Sequence, residues 1–225
     1  MELSEKDKLK LCENTLQKIF DETEKQRFSH NREMAQIRSL AVFVLKVLKD
    51  ERQRQNLIQK NMIFENLIKT NKEAFIAKVI EVATKLGVKA EHLMFLMWFE
   101  TAHTLDHTIQ NSIGATGLIQ FMPATAKGLG TTTSALKIMT NVKQMDYVYK
   151  HLAMFSKHYI DFVDLYCGIF WPAAVGKPDS FRITSDMVAK QNPIFDLNKD
   201  LDIEKSEIRQ ALCKQIPKEY MQYFI

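Results

Sequence analysis

The sequence is poor in the residues that make turns and covalent cross-links. Its 225 residues include seven glycines and five prolines, which are few for a protein built from many turns and short strands. The three cysteines, Cys12, Cys167 and Cys213, are odd in number, widely spaced and without a CxxC pair. Such a set indicates neither a disulfide framework nor a cysteine-based metal site, so we expect buried free thiols.

A long apolar run is also missing. The most apolar window, Leu40 to Leu45, lies between charged residues and is far shorter than the ~20 residues that a membrane span needs, so a buried helix face is expected there. The first twenty residues have no apolar core of a signal peptide, which predicts synthesis in the cytoplasm without secretion by that route. The formal charge of +4 attracts an anionic polymer only weakly and does not indicate nucleic acid.

What the sequence does contain is helical periodicity. Residues 4–70 read as two or three amphipathic helices that carry no chemical motif, and polarity rises around Thr70 to Glu73 before a new apolar pattern begins. That pattern ends at Gly87, a C-cap residue for a helix. The expected fold class is mostly α, with a helical N-terminal extension at 1–71 and a main domain at 72–225.

A second helix in the main domain ends in an acidic residue. The run from Lys89 to Phe99 is apolar on nearly every side and must therefore lie inside a core, and Glu100 closes it. An ionised carboxylate in that position is costly, so the pKa of Glu100 should rise and the side chain should hold a proton near neutral pH. A general acid for glycoside cleavage needs that property. An exposed Glu at a helix end is the alternative that this pattern leaves open.

The segment after Glu100 carries a longer motif. Gly114 to Gly130 reads GATGLIQFMPATAKGLG, and with Phe99 to Thr101 it resembles the signature of the soluble lytic transglycosylase family of peptidoglycan-cleaving enzymes. In that family, a Glu closing a buried helix precedes a GA-x-GL-x-Q-x-x-P-x-TA segment. Eight positions match: Gly114, Ala115, Gly117, Leu118, Gln120, Pro123, Thr125 and Ala126. The later stretch 166–179, YCGIFWPAAVGKPD, is similar to cell-wall-degrading domains of phage tails and related injection devices.

The resemblance covers about two thirds of the chain and implies a lysozyme-like domain that cleaves the β-1,4 bond between N-acetylmuramic acid and N-acetylglucosamine. Glu100 would act first as acid and then as base while the 6-hydroxyl of the sugar closes an anhydro ring, without a second carboxylate or a cofactor. The substrate-binding residues implied are Thr101, Gly117, Gln120, Phe121, Phe170 and Trp171. Most relatives have Ser at position 101, and their Tyr-Asn-Ala-Gly segment corresponds here to Phe170 to Gly176, which lacks the Asn.

The same resemblance implies the partners and the place of action. Peptidoglycan glycan strands are the expected substrate, at the cell wall or in the periplasm. Since no signal peptide is predicted, delivery is expected through phage-tail or injection-device proteins that bind residues 1–71. An alternative from another class is a structural component of a tail or secretion apparatus that keeps the fold and binds glycan without cutting it.

Two further groups of candidate functional residues follow Glu100 closely in the sequence. Asp106 follows it by six residues and would make the enzyme a hydrolase of the lysozyme type if it held a water molecule; an exposed loop Asp is the alternative. His103 to His107 spells HTLDH, close to a zinc motif with two imidazoles one helical turn apart. Asp replaces the Glu of that motif, so we interpret both histidines as surface residues.

A possible EF-hand-like loop lies at 196–207. Asp196, Asn198, Asp200, Asp202 and Glu207 occupy positions 1, 3, 5, 7 and 12 of a calcium-binding loop. Position six is Leu201, where Gly is expected because the backbone there has a positive φ. Two interpretations stay open, a structural calcium site and an acidic N-terminus of a helix that starts at Lys205.

Overall fold

Helices make up most of the computed structural model, which describes residues 5–25, 39–49 and 62–224. Two strands of two residues each are the only strands in these ranges. The expected mostly-α class is therefore confirmed. Among the described helices, none combines the length and the apolar character needed to cross a membrane.

The chain divides into two compact units, Met1–Lys60 and Asn61–Ile225. The first contains helix α1, Glu5–Lys25, and a second helix, α2, whose described residues are 39–49. The expectation of a buried face at Leu40 to Leu45 is only partly met. Ala41 and Leu45 are buried, but the side chain of Leu40 is 63% exposed, because residues four apart share a helix face and Leu40 lies beside it.

The division between the units lies ahead of the boundary expected at residue 72. Met62, Ile63 and Phe64 are buried, and the ring of Phe64 stacks on Trp98 with 4.3 Å between centroids. Residues just after the division therefore belong to the second unit. The expectation of buried free thiols holds for Cys167, whereas Cys213 is half-buried and Cys12 is exposed.

The second unit holds eight described α-helices. They are α3 Lys72–Leu86, α4 Ala90–Glu100, α5 Pro123–Gly128, α6 Thr133–Ile138, α7 Asn141–Leu152, α8 Phe162–Phe170, α9 Asp186–Gln191 and α10 Lys205–Gln215. Short 3-10 helices lie at Glu65–Leu67, Ala153–His158, Pro172–Ala174 and Lys218–Tyr223. Strands β1, Arg182–Ile183, and β2, Ile203–Glu204, pair antiparallel with Arg182 opposite Glu204.

Helix α4 lies at the centre of the second unit. Its residues from His92 to Trp98 are all buried, as expected for a helix that is apolar on nearly every side. It packs against α3 and α8. Helix α3 ends at Gly87, whose φ of 72° and N–H bonds to the carbonyls of Ala83 and Thr84 confirm the expected C-cap. Since Glu100 is the last residue of α4, the core helix brings a carboxylate to the edge of the core.

A buried ion pair joins α8 to α10. The Nζ of Lys205 lies 2.6 Å from Oδ1 of Asp164, and both side chains are almost fully buried. Asp164 also accepts hydrogen bonds from the backbone N–H groups of Ile160 and Gly176, and Lys205 donates a second bond to the carbonyl of Lys177. The pair therefore connects the start of α8, the start of α10 and the loop at 176–177.

Candidate active site

Glu100 lies on a cavity of about 670 Å³ in the second unit. This volume is in the range of sites that bind small molecules or segments of a polymer. The lining residues come from the end of α4, the loop after it, α8 and the end of α9: Phe99, Glu100, Ile113, Ile119, Gln120, Tyr166, Ile169, Phe170, Gln191, Asn192, Ile194 and Phe195. Apolar side chains predominate, and Glu100 is the single carboxylate among these described lining residues.

Burial changes the acidity of Glu100. The surrounding apolar side chains leave Glu100 half-buried, and the loss of water around its carboxylate raises its pKa from 4.5 to about 7. The hydroxyl of Tyr166 donates a hydrogen bond to the carboxylate, which opposes the rise by stabilising the ionised form. Glu100 therefore changes protonation state close to neutral pH, where a group can both give and accept a proton.

Tyr166 begins the stretch 166–179 but was not among the predicted site residues. It lies in the buried part of α8 and packs edge-on against Phe99, with 5.6 Å between ring centroids. Its ring also contacts Phe170 and Phe195. Tyr166 precedes Phe170 by four residues and so shares its helix face; this spacing is the one sequence signal that connects it with a predicted site residue.

Thr101 does not face the cavity, contrary to expectation. Its side chain is 0% exposed. The hydroxyl donates to the carbonyl of Met97 and accepts from the backbone N–H of Leu105. It holds a turn in which Ala102, His103 and Leu105 all have positive φ values. Thr101 therefore fixes how the chain leaves Glu100 rather than binding a ligand.

The loop at 116–121 brings Gln120 to the cavity. Thr116 and Phe121 exchange both backbone hydrogen bonds, which closes a tight hairpin. Gln120 has a φ of 49° and lines the cavity, as the prediction of a binding residue requires. Its Nε2 donates to the carbonyl of Gly117, and this bond holds the amide in place.

Gly117 itself has a structural role. Its φ is 83°, and an added Cβ would overlap the side-chain oxygen of Gln144. That oxygen accepts from the N–H of Leu118, while Nε2 of Gln144 donates to the carbonyls of His107 and Leu136. Gly117 is not among the residues that line the cavity, and its lack of a Cβ leaves room for a buried amide that ties the loop to α7.

Replacing Gly117 by Ala is expected to lower the free energy of unfolding by about 1–3 kcal/mol, because the backbone conformation and the contact with Gln144 both oppose a Cβ. The matched control is Gly128→Ala in α5, where an added Cβ meets nothing within 4 Å. Alanine there is expected to stabilise by about 0.5–1 kcal/mol. Urea denaturation measures both, and equal effects of the two changes would contradict the assignment.

Phe121 and Trp171 are also placed away from the cavity. Phe121 is 2% exposed and packs with its edge toward the ring of His151, because the hairpin turns it inward. Trp171 ends α8 and is half-buried, but it is not one of the residues that line the cavity. Phe170 does line it, as expected, and carries the aromatic surface of this wall.

Asp106 and the two histidines lie outside the cavity lining. Asp106 accepts hydrogen bonds from the backbone N–H and hydroxyl of Thr108, which lower its pKa. His103 is exposed, as expected, and stacks on Trp98 with 4.0 Å between ring centroids, whereas His107 is half-buried. Within the described ranges, no three His, Cys, Asp or Glu side chains are grouped so that they could hold a metal ion.

The acidic loop at 196–207 satisfies its carboxylates with protein groups. Both oxygens of Asp196 accept backbone N–H groups, from Asp200 and Leu201. Glu207 accepts from Leu197 and Asn198 through one oxygen, and its other oxygen accepts the N–H of Glu204 in the capping box of α10. The capping box matches the expectation of an acidic helix N-terminus.

The carboxylates of Asp200 and Asp202 in this loop accept hydrogen bonds from a cation of the protein itself, Arg182. The Nε of Arg182 lies 2.7 Å from Oδ2 of Asp202, and its Nη2 lies 3.5 Å from Oδ2 of Asp200. Leu201 has a φ of 64°, as expected for position six of an EF-hand-like loop. In this arrangement Arg182 supplies the positive charge, so calcium binding by Asp196, Asn198, Asp200, Asp202 and Glu207 stays a prediction.

The chain matches no protein-family model, no curated protein and no solved structure. Its chemistry therefore has to be argued from the geometry of the cavity and from the motif in the sequence.

Proposed function

We propose that this protein is a peptidoglycan lytic transglycosylase that cleaves the bond between N-acetylmuramic acid and N-acetylglucosamine. The observation that carries the proposal is a single carboxylic acid, Glu100, with a pKa of about 7 on the wall of a cavity of about 670 Å³ whose lining side chains are mostly Phe and Ile. The motif around Gly117 and Gln120, which positions the loop beside this acid, supports the same chemistry.

The reaction needs one group that both gives and takes a proton. Protonated Glu100 donates to the glycosidic oxygen as the bond from that oxygen to C1 breaks, and positive charge develops on the sugar ring. The acetamido oxygen of the sugar stabilises that charge. The 6-hydroxyl oxygen then forms a bond to C1, and the ionised carboxylate of Glu100 takes the proton that this hydroxyl loses. This step regenerates the acid and consumes no water.

The cavity wall favours this route over hydrolysis. A hydrolase of the inverting type needs a second carboxylate to activate water, and Asp106, the candidate for that role, lies off the described lining with its carboxylate bonded to Thr108. The hydrogen bond from Tyr166 orients the carboxylate of Glu100 and stabilises it after the first proton transfer.

The ends of the released fragments test the proposal. Purified cell wall is incubated with the protein, and the fragments are weighed by mass spectrometry. Anhydro ends, lighter than reducing ends by one water molecule, are expected. Reducing ends would make the protein a lysozyme-type hydrolase, and equal release by a Glu100→Gln variant would overturn the role of Glu100 as the catalytic acid.

The rate of cleavage should depend on pH through the protonation of Glu100. Because Glu100 must be protonated in the first step, activity is expected to fall as the pH rises through about 7. In a Tyr166→Phe variant the hydrogen bond that lowers this pKa is lost, so the alkaline limb should move to higher pH while the rate falls roughly tenfold. The control is Tyr147→Phe in α7, away from the cavity. A limb that moves to lower pH in Tyr166→Phe would contradict the assignment.

A further inference from the structure

One wall of the cavity is formed by residues outside the motif at 114–130. It is built by the residues that end and follow α9, of which Gln191, Asn192, Ile194 and Phe195 line the cavity. Phe195 is 2% exposed and fixes this wall by packing against Tyr166 and Phe170, with ring centroids 5.4 and 5.1 Å apart. Tyr166, which donates a hydrogen bond to Glu100, therefore also packs through Phe195 against the segment that carries Asn192.

Asn192 is fixed in position by its own hydrogen bonds. Its backbone N–H donates to the carbonyls of Val188 and Ala189, and its carbonyl accepts from the N–H of Phe195. The side-chain Nδ2 donates to the carbonyl of Val188 at 2.9 Å. An amide held in this way loses little conformational entropy when it binds a ligand.

Part of that amide has no partner. Oδ1 of Asn192 and the second N–H of Nδ2 make no hydrogen bond with any residue in the described ranges, and the half-buried residue opens onto the cavity. Gln120, in the loop at 116–121, has a similarly anchored amide. Its Nε2 donates to the carbonyl of Gly117, and its Oε1 accepts no hydrogen bond within the same ranges. Two anchored amides thus offer one acceptor each to a ligand.

We propose that Asn192 is a specificity-determining residue that binds the acetamido group of an N-acetylated sugar in this cavity. The proposal rests on the function proposed above and names the residue that selects the N-acetyl group. An acetamido group carries an N–H, a carbonyl and a methyl group. The free acceptor of Asn192 matches the N–H and its free donor matches the carbonyl, and the neighbouring side chain of Ile194, which is 42% exposed, offers an apolar surface to the methyl group.

Binding of two short sugars tests the assignment without cleavage. The Glu100→Gln protein is titrated calorimetrically with a tetramer of N-acetylglucosamine and with the corresponding tetramer of glucosamine, which lacks every acetyl group. The Glu100→Gln protein is expected to prefer the acetylated tetramer. Adding Asn192→Ala should weaken binding of that tetramer about tenfold and leave the affinity for glucosamine unchanged.

A second variant separates recognition from folding. Asn192→Asp keeps the size of the side chain and an acceptor but replaces the amide donor by a negative charge, so it is expected to bind the cationic glucosamine tetramer more tightly and to reverse the preference. The matched control is Gln210→Ala, which removes an exposed amide on α10 and should change neither affinity. Thermal unfolding checks that each variant is folded.

The outcomes distinguish this assignment from the proposed chemistry. An unchanged preference in both Asn192 variants, or no binding of the acetylated tetramer, overturns the role of Asn192 even if wild-type protein releases anhydro fragments. A preference that depends on Asn192 in a protein that releases no fragments supports recognition and removes catalysis.

Discussion

Replacing Glu100 by Gln is expected to reduce release of wall fragments by at least about 10³-fold. The amide has nearly the shape of the protonated acid and can accept the hydrogen bond from Tyr166, but it has no proton to give to the glycosidic oxygen. Because a single carboxylate lines the described cavity, no neighbouring acid is expected to replace it. The loss should therefore appear in the rate, while sugar binding is retained.

The same exchange is expected to stabilise the fold at high pH. The pKa of Glu100 is raised from 4.5 to about 7 by burial, so the folded protein holds a proton that the unfolded chain loses between these values. The free energy of unfolding of the wild type therefore falls as the pH rises through this window, by about 3 kcal/mol in total. Glu100→Gln should equal wild type at pH 4 and exceed it by that amount at pH 8.

The control for this experiment lies on the same helix. Glu91→Gln removes a carboxylate from the first turn of α4, where it interacts favourably with the helix dipole, and should cost a few tenths of a kcal/mol while leaving cleavage intact. Urea denaturation at the two pH values and fragment release measure both changes. A Glu100→Gln protein that cleaves the wall, or one whose stability relative to wild type is no greater at pH 8 than at pH 4, would argue against a buried acid in this role.

The second large effect is expected at the buried ion pair. Lys205→Met removes the charge that lies 2.6 Å from Asp164 and leaves a carboxylate buried with only the N–H groups of Ile160 and Gly176. Breaking such a pair costs about 3–5 kcal/mol. Since Asp164 precedes Tyr166 on α8 by two residues, we also expect weaker orientation of Glu100 and a lower rate of cleavage.

An exposed pair provides the matched control. Lys143 lies 2.8 Å from Asp146, but its side chain is 61% exposed, so Lys143→Met should change the free energy of unfolding far less than Lys205→Met does. Urea denaturation of the two Lys→Met variants gives the comparison. If both changes had similar small effects, the pair between Lys205 and Asp164 would not be a main link between α8 and α10.

Several elements could be read from local sequence. The continuous apolar run of α4 predicted a buried helix ending at Glu100, and Gly87 predicted the end of α3. Helix α10 begins at Lys205, as the acidic residues ahead of it indicated. The short helix α6 and helix α9 were not predicted, because they have six residues each and no apolar period long enough to detect.

Some of the predicted binding residues line the cavity, and others are buried away from it. Gln120 and Phe170 line the cavity, whereas Thr101 and Phe121 are buried in the structure around it. A motif specifies which residue types the loop needs, but it does not separate those that contact a ligand from those that hold the backbone. That distinction depends on the hairpin formed by Thr116 and Phe121 and on the amide of Gln144 behind it.

The sequence by itself determined the mostly-α class, the helix that buries an acid at its end and the glycine-containing loop beside it, because each depends on residues close together in the chain. Only the tertiary structure decided what surrounds Glu100. Tyr166, Asn192 and Phe195 reach the cavity because α8 and the segment after α9 pack on α4 and on each other. The burial that raises the pKa of Glu100 to about 7 arises from those distant contacts, which no local pattern encodes.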